Sequence, residues 1–403
     1  MLLEQFILVG IIILIGFIFL SLRRKAEGSR TGYKLMLILL GLLLGISTVG
    51  NTPLFVFDKY FLKSLCVFLL VVLLFELSVR LNKDNIKLTF RSITMFFSIL
   101  VLNILVLGVM ATFLLNVQFM HAVIFAIILS SIEYFLVDQL KSEGDFANPL
   151  IIFFAFSIMV FYGLEGDIFS NVTYFLKYIL IGLGMGVLVG IIVFRCLKNK
   201  HITWVNELGL VAAAVVTYIL TEQLMGSGLF AVMILGTFFG NSYVRKTTSM
   251  YSFSPFIFKT LEMLIYLMIG FVTVITFKNG IWWRAIVLFG VYLLLRLIII
   301  NLYYKHYSIE NKLLLTFAPK GMILGATILV LSVYGSFENT LINTMLLVLV
   351  YSLIAGIFVE YFEQQKALHL DKTLQTLMTV KFGKKRNIFR NKKYTNKYNV
   401  NKH

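Results

Sequence analysis

The run Thr316-Phe-Ala-Pro-Lys-Gly-Met-Ile-Leu-Gly325 interrupts an apolar stretch, residues 312–334, that is long enough to cross a lipid bilayer. Pro319 removes a backbone hydrogen-bond donor, and Gly321 relaxes the chain beside the basic residue Lys320. A helix that breaks near the bilayer midplane exposes half-helix ends and free backbone groups, which bind ions in many secondary transporters. The run therefore predicts a helix that is broken inside the membrane, with a lysine at the break.

A second apolar stretch, residues 119–140, carries a comparable interruption in Ala126-Ile-Ile-Leu-Ser-Ser-Ile-Glu-Tyr-Phe135. Two hydroxyl groups, from Ser130 and Ser131, and the carboxylate of Glu133 lie in the middle of this run. A serine can instead bond back to its own helix, so either interruption alone also fits an inert span. Together they predict two broken helices.

The whole composition indicates a membrane protein. Of 403 residues, 59% are hydrophobic and only 14% are charged, and the mean hydropathy is +0.91. Because a transmembrane helix needs about 20 apolar residues, the sequence predicts an all-α, polytopic protein of about thirteen spans. We place these spans near residues 3–21, 33–49, 61–79, 92–115, 119–140, 147–164, 172–195, 205–222, 227–244, 256–277, 281–304, 312–334 and 340–360.

The two interrupted spans are the fifth and the twelfth, so they cross the membrane in opposite directions. Inverted repeats predict this relation. Spans one to six and eight to thirteen would form the repeats, and span seven would link them. The sequence therefore divides into a transmembrane transporter domain, residues 1–360, and a basic tail, residues 361–403.

The basic residues predict the orientation, because loops rich in lysine and arginine stay in the cytoplasm. Most of the 36 lysines and arginines fall on one side, starting with a joint that holds Arg23, Arg24, Lys25, Arg30 and Lys34. This places the N-terminus outside and the C-terminus in the cytoplasm, with the plasma membrane as the default location. The net charge of +17 thus reflects topology rather than a nucleic-acid surface. The tail either contacts anionic lipid headgroups or is solvated.

Charges inside spans mark ion paths or buried pairs, because each costs about 2.5–3.5 kcal/mol at mid-bilayer. Four lie near span ends and are more typical of interfacial residues: Glu76, Asp138, Glu222 and Lys259. Four lie deeper: Glu133, Glu262, Arg296 and Lys320. The alternative to function is that Glu133–Lys320 and Glu262–Arg296 are fixed salt bridges. The two cysteines and five histidines are scattered, so we predict no metal site, no cofactor and no enzyme.

Several motifs, taken in order, resemble the monovalent cation:proton antiporter superfamily, the sodium/hydrogen exchanger-like membrane domain. The resemblance covers most of the chain. Its motifs are Gly41-Leu-Leu-Leu-Gly45, Phe75-Glu-Leu-Ser-Val-Arg-Leu81, Gly226-Ser-Gly-Leu-Phe-Ala-Val-Met-Ile-Leu-Gly236, Arg296 and Ala318-Pro-Lys-Gly321.

This resemblance implies a homodimer in membrane lipid with two parts in each protomer. Spans one to three and eight to ten would form the dimerisation part, and spans four to six and eleven to thirteen the core. The crossed broken helices would carry the ion. It also implies exchange of monovalent cations for protons, because a carboxylate that is either protonated or cation-bound couples two opposite fluxes.

The chain departs from the family in span six, where members usually have an acidic pair. The corresponding positions are near Val160 and Phe161, and the nearest acids, Glu165 and Asp167, fall at the outer end. Glu133 is then the best candidate for the titrating carboxylate. Three functions stay open: a Na⁺ or K⁺/proton antiporter, a transporter of this fold with an anionic or neutral substrate, and a member that does not transport.

Overall fold

The computed structural model describes residues 8–11, 14, 16, 30–49, 52–53, 57–81, 86–131, 141–162, 168–197, 203–242, 250–272, 280–305, 308–334 and 337–362. We number the helices from residue 30 onward. They are α1 (Arg30–Ile46), α2 (Lys59–Val79), α3 (Ile86–Asn103), α4 (Val109–Leu115), α5 (Phe119–Leu129), α6 (Lys141–Tyr162), α7 (Ile168–Leu197), α8 (Thr203–Gln223), α9 (Gly228–Ser242), α10 (Met250–Val272), α11 (Ile281–Tyr303), α12 (Ile309–Thr316), α13 (Met322–Tyr334) and α14 (Asn339–Phe362).

The regular secondary structure of the described residues is helical apart from one short ladder, in which Thr48–Val49 pairs antiparallel with Thr52–Pro53. A π-helical turn, Ile104–Gly108, joins α3 to α4. This confirms the predicted all-α class. Five described helices are long and apolar enough to cross a membrane: Lys59–Val79, Phe97–Leu115, Phe169–Arg195, Ile281–Tyr303 and Asn339–Phe362. Several shorter apolar helices, α5 and α13 among them, accompany these five. The count of thirteen spans stays a prediction.

Glycines bring α1 and α10 into backbone contact. A Cβ atom added at Gly45 would lie 2.9 Å from the carbonyl oxygen of Phe271. One added at Gly41 or Gly270 would overlap a carbonyl oxygen of the facing helix. Lipid tails are as apolar as leucine, so helices in membranes associate through such close van der Waals packing. The glycine motif of the second predicted span therefore serves as a helix-packing surface.

An ion pair between a buried lysine and a partly buried glutamate joins the same two helices. The Nζ atom of Lys34 on α1 lies 2.9 Å from the Oε1 atom of Glu262 on α10, and 5.4 Å from the centre of the Tyr266 ring. The alternative pair Glu262–Arg296 is therefore wrong, because the carboxylate of Glu262 lies on the face of α10 that packs against α1. Lys34 is likewise a buried residue within α1 rather than part of an inner joint.

Two short helices lie at the centre of the packing. In α5 every residue from Ala122 to Leu129 is buried, and in α13 every residue from Met322 to Leu331 is buried. A helix that is apolar on all sides is typical of a fully enclosed position. These two helices contact each other, and α13 also packs against α2 and α10. The polar residues at the C-terminal end of α5 and just before α13 therefore lie in the interior of the protein.

Candidate ion-binding site

The C-terminal end of α5 forms one side of the site. The backbone N–H of Ser130 donates to the carbonyls of Ala126 and Ile127, at 3.1 and 2.9 Å, and that of Ser131 donates to Ile128 at 3.1 Å. The last carbonyls of a helix have no partner within the helix and need one from elsewhere. The carbonyl of Leu129, the last residue of α5, is in this position, and that of Ser131 lies just beyond the helix.

Lys320 supplies that partner from the other interruption. Its Nζ atom donates to the carbonyl oxygen of Ser131 at 2.6 Å and also to that of Leu129. The same Nζ atom lies 4.0 Å from the centre of the Tyr292 ring. The lysine is fully buried. An ammonium group carries three donors, and the C-terminal end of a helix carries partial negative charge, so the geometry suits both partners.

The segment that carries Lys320 lies between two helices. The helix α12 ends at Thr316 and α13 begins at Met322, and residues 317–321, which include Pro319 and Gly321, are not helical. The backbone N–H of Lys320 donates to the Oγ atom of Ser352 on α14 at 3.0 Å. Because proline cannot donate a backbone hydrogen bond, the chain stops its helix here and a side chain of α14 satisfies the next donor.

Arg296 on α11 contacts the same segment. Its Nη1 atom donates to the carbonyl oxygen of Ala318 at 3.1 Å and to the hydroxyl of Tyr292 at 2.7 Å. The side chain of Arg296 is buried. Tyr292 therefore contacts both cationic groups. Its hydroxyl accepts a hydrogen bond from Arg296, and its ring packs against the ammonium group of Lys320.

The structure brings most of the predicted site residues together. Lys320 donates to the carbonyl of Ser131, next to Ser130 at the end of α5, and Arg296 donates to the carbonyl of Ala318 beside Pro319. Glu262 lies instead in the ion pair with Lys34. Glu133 lies outside the described residues, so its role stays a prediction. At the span-six position, Val160 lies in α6, which packs against α5.

Three further residues of the site were not predicted from the sequence: Asn103, Tyr292 and Ser352. Asn103 is buried at the end of α3, and its Nδ2 atom donates to the Oγ atom of Ser130 at 2.9 Å. The sequence did contain a signal for Asn103: it is a single amide in an apolar span, and a buried polar group in lipid needs a hydrogen-bond partner. Tyr292 precedes Arg296 by four residues, the spacing that places two side chains on one helix face.

Replacing Tyr292 with phenylalanine tests this arrangement. The ring under Lys320 is retained, but Arg296 loses the hydroxyl that accepts its hydrogen bond. We expect the free energy of unfolding to fall by about 1–3 kcal/mol, the cost of an unmet buried donor. The measurement is thermal unfolding of the purified protein in detergent. Tyr351→Phe is the matched control, because its exposed hydroxyl donates to the carbonyl of Trp282 at 3.2 Å. Equal unfolding temperatures for the two variants would contradict the assignment.

In this structure helix ends meet around a buried cationic side chain, and the helices are apolar. This arrangement is typical of secondary transporters. The profile of the family described as sodium/hydrogen exchanger, transmembrane, matches residues 9–362, and the chain therefore belongs to the sodium/hydrogen exchanger family. This confirms the resemblance given by the motifs. The protein is a multi-pass membrane transporter and not an enzyme.

Solved structures share the fold at low sequence identity. The sodium proton antiporter MjNhaP1 from Methanocaldococcus jannaschii, in a structure at pH 8, is 15% identical with a TM-score of 0.68 over 89% of this chain and 96% of that chain. An electron-microscopy map of the same antiporter gives 14% identity and a TM-score of 0.71 over 92% and 98% of the two chains. No curated protein matches the sequence.

Proposed function

We propose that this protein exchanges a monovalent cation, Na⁺ or K⁺, for protons. One observation carries the proposal beyond family membership: the ammonium group of Lys320 is held by two backbone carbonyls at the end of α5. A desolvated ammonium group carries the same charge as a desolvated Na⁺ or K⁺ ion. Carbonyl oxygens are the ligands that replace the hydration shell of such ions. The place that Lys320 occupies is therefore suited to a cation.

Oxygen atoms next to Lys320 support the same function. The buried hydroxyl of Ser131 has no hydrogen-bond partner among the described residues. A buried polar atom without a partner is uncommon and needs an explanation, which a bound cation supplies. Glu133 follows two residues later in the sequence. We propose that its carboxylate binds either a proton or the cation, which couples the two fluxes in opposite directions.

The hydrogen bonds of the two basic residues favour a cationic substrate over an anionic one. Lys320 donates to Leu129 and Ser131, and Arg296 donates to Ala318. Both positive charges are thus directed at backbone carbonyls, which partly offset them. An anion site would instead require these donors to converge on a common cavity.

The family resemblance supports a set of finer proposals. We propose inverted repeats in which the interrupted spans five and twelve cross, a core that moves against a dimerisation part, and a homodimer. The N-terminus would lie outside the plasma membrane and the C-terminus, residues 361–403, in the cytoplasm. Crosslinking in native membranes and labelling of single cysteines from either side test the dimer and the orientation.

Proton flux in proteoliposomes tests the function. We expect Na⁺ or K⁺, added to vesicles that are acidic inside, to release protons with the wild type, and Glu133→Gln to reduce this release to background. Glutamine removes the titrating group and leaves the size of the side chain unchanged. Asp58→Asn is the matched control, because Asp58 lies at the N-terminal end of α2, outside the candidate site.

Two results would contradict the proposal in different ways. A folded, inserted wild type that shows no response to Na⁺, K⁺ or Li⁺ at any pH would reject monovalent cation/proton exchange. A cation response that survives in Glu133→Gln, at the rate of Asp58→Asn, would retain exchange but assign its proton to another group.

A further inference from the structure

The junction of α3 and α4 packs directly against α5, the helix whose C-terminal end binds the ammonium group of Lys320. The helix α3 ends at Asn103, and the π-helical turn Ile104–Gly108 follows immediately. A Cβ atom added at Gly108 would lie 3.8 Å from the carbonyl oxygen of Ala122 and 3.9 Å from the Cβ atom of Ala126. The π-helical turn and α5 are thus in van der Waals contact. Such turns are rare and often occur at functional sites.

Asn103 makes a polar connection across this contact. Its side chain is 1% exposed, and its Nδ2 atom donates to the Oγ atom of Ser130 at 2.9 Å. The same Oγ atom donates to the carbonyl of Ala126, also at 2.9 Å. The hydroxyl of Ser130 therefore accepts one hydrogen bond and donates another, which fixes its rotamer. Without Asn103 only the bond to its own helix would remain.

Ser130 lies between the two residues whose carbonyl groups are proposed to bind a cation. The carbonyls of its two neighbours in the sequence, Leu129 and Ser131, both accept from Lys320. The peptide groups on the two sides of Ser130 set the directions of these carbonyls. A restraint on Ser130 consequently restrains both cation ligands at once. Ligand sets must be held to within about 0.5 Å by the groups behind them if they are to bind well.

We propose that Asn103 is a positioning residue for the cation: through Ser130 it holds the Leu129 and Ser131 carbonyls and thereby sets the affinity for the transported ion. This inference rests on the proposed function. A leucine of similar size would serve helix packing equally well, whereas an amide in a lipid-embedded helix is expensive unless its hydrogen bond is used.

A double-mutant cycle tests the inference in proteoliposomes. We expect Asn103→Leu to raise the KM for the cation by about tenfold, the change that one lost hydrogen bond produces, with little change in the maximal rate. Ser130→Ala should raise KM similarly. The double variant should be no worse than the poorer single variant, because the two residues act through one contact.

Asn241→Leu provides the matched control. Asn241 is also an amide that connects separate segments: its Nδ2 atom donates to the carbonyl of Leu81, just after α2, at 2.9 Å, and to that of Thr237 in its own helix at 2.8 Å, away from the candidate site. We expect this variant to lower the unfolding temperature without changing KM. A purely structural Asn103 would behave in the same way, so the KM separates the two roles.

The outcomes that overturn the inference differ from those that overturn the function. A wild type that does not exchange cations removes the function and the inference together. A wild type that exchanges, with an unchanged KM in Asn103→Leu, or with KM effects that multiply in the double variant, overturns the inference alone. If Asn103→Leu does not insert, Asn103→Ser, which is too short to span the contact, decides between the same results.

Discussion

Lys320→Met is expected to destabilise the protein by several kcal/mol and, because the end of α5 then loses its support, to abolish cation-dependent proton release. Methionine keeps the length and most of the volume of lysine but cannot donate a hydrogen bond. The carbonyls of Leu129 and Ser131 would be left buried without the donor that they have now. Each unmet buried acceptor costs about 1–3 kcal/mol. The interaction of the ammonium group with the Tyr292 ring, worth about 2 kcal/mol when desolvated, would also be lost.

The measurements are the unfolding temperature in detergent, followed by tryptophan fluorescence, and proton flux in proteoliposomes. Lys63→Met is the matched control. The Nζ atom of Lys63 lies 4.0 Å from the centre of the Tyr334 ring, the same distance as in the Lys320–Tyr292 pair, but Lys63 is exposed. Exposed cation–π pairs contribute about 0.5–1 kcal/mol, so this variant should unfold near the wild-type temperature. Equal stability and exchange for both variants would show that Lys320 does not support the end of α5.

The sequence was sufficient to locate the candidate site because its signals are local. Pro319 and Gly321 beside Lys320 break a helix by backbone chemistry alone, and two adjacent serines interrupt an apolar run wherever they occur. Those features predicted where helices end, and the described helices do end at Leu129 and Thr316. They also predicted a buried lysine at the second of these ends.

Partners that come from distant parts of the chain were not predictable in this way. Glu262 pairs with Lys34, more than two hundred residues away, because α1 and α10 cross at their glycines. The charge pattern assigned Lys34 to a loop, since a basic residue near a span end is usually interfacial. The hydrogen bond from Asn103 to Ser130 likewise joins the end of α3 to the end of α5, and the sequence does not indicate that these two ends meet.

Gly270→Ala is expected to prevent the formation of stable protein, although it adds a single methyl group. The new Cβ atom would overlap the carbonyl oxygen of Ile38 on α1, and the backbone nitrogen of Leu42 would lie 2.8 Å away. Both atoms belong to the main chain, so no side-chain rotation relieves the contact and the helices must separate. Overpacking of a core costs about 1–3 kcal/mol when side chains can adjust, and a backbone obstacle costs more.

The position of the methyl group, not its presence, determines this effect, and Gly290→Ala isolates the difference. Gly290 lies on the exposed side of α11, where an added Cβ atom meets no described atom within 4 Å. Alanine favours a helix over glycine by about 1 kcal/mol, so this variant should unfold at the wild-type temperature or above. Separating α1 from α10 in Gly270→Ala would also pull Lys34 away from Glu262 and break the ion pair between these helices. Yield after detergent extraction and the unfolding temperature measure both variants. Similar values for the two alanines would mean that α1 and α10 do not approach each other at Gly270.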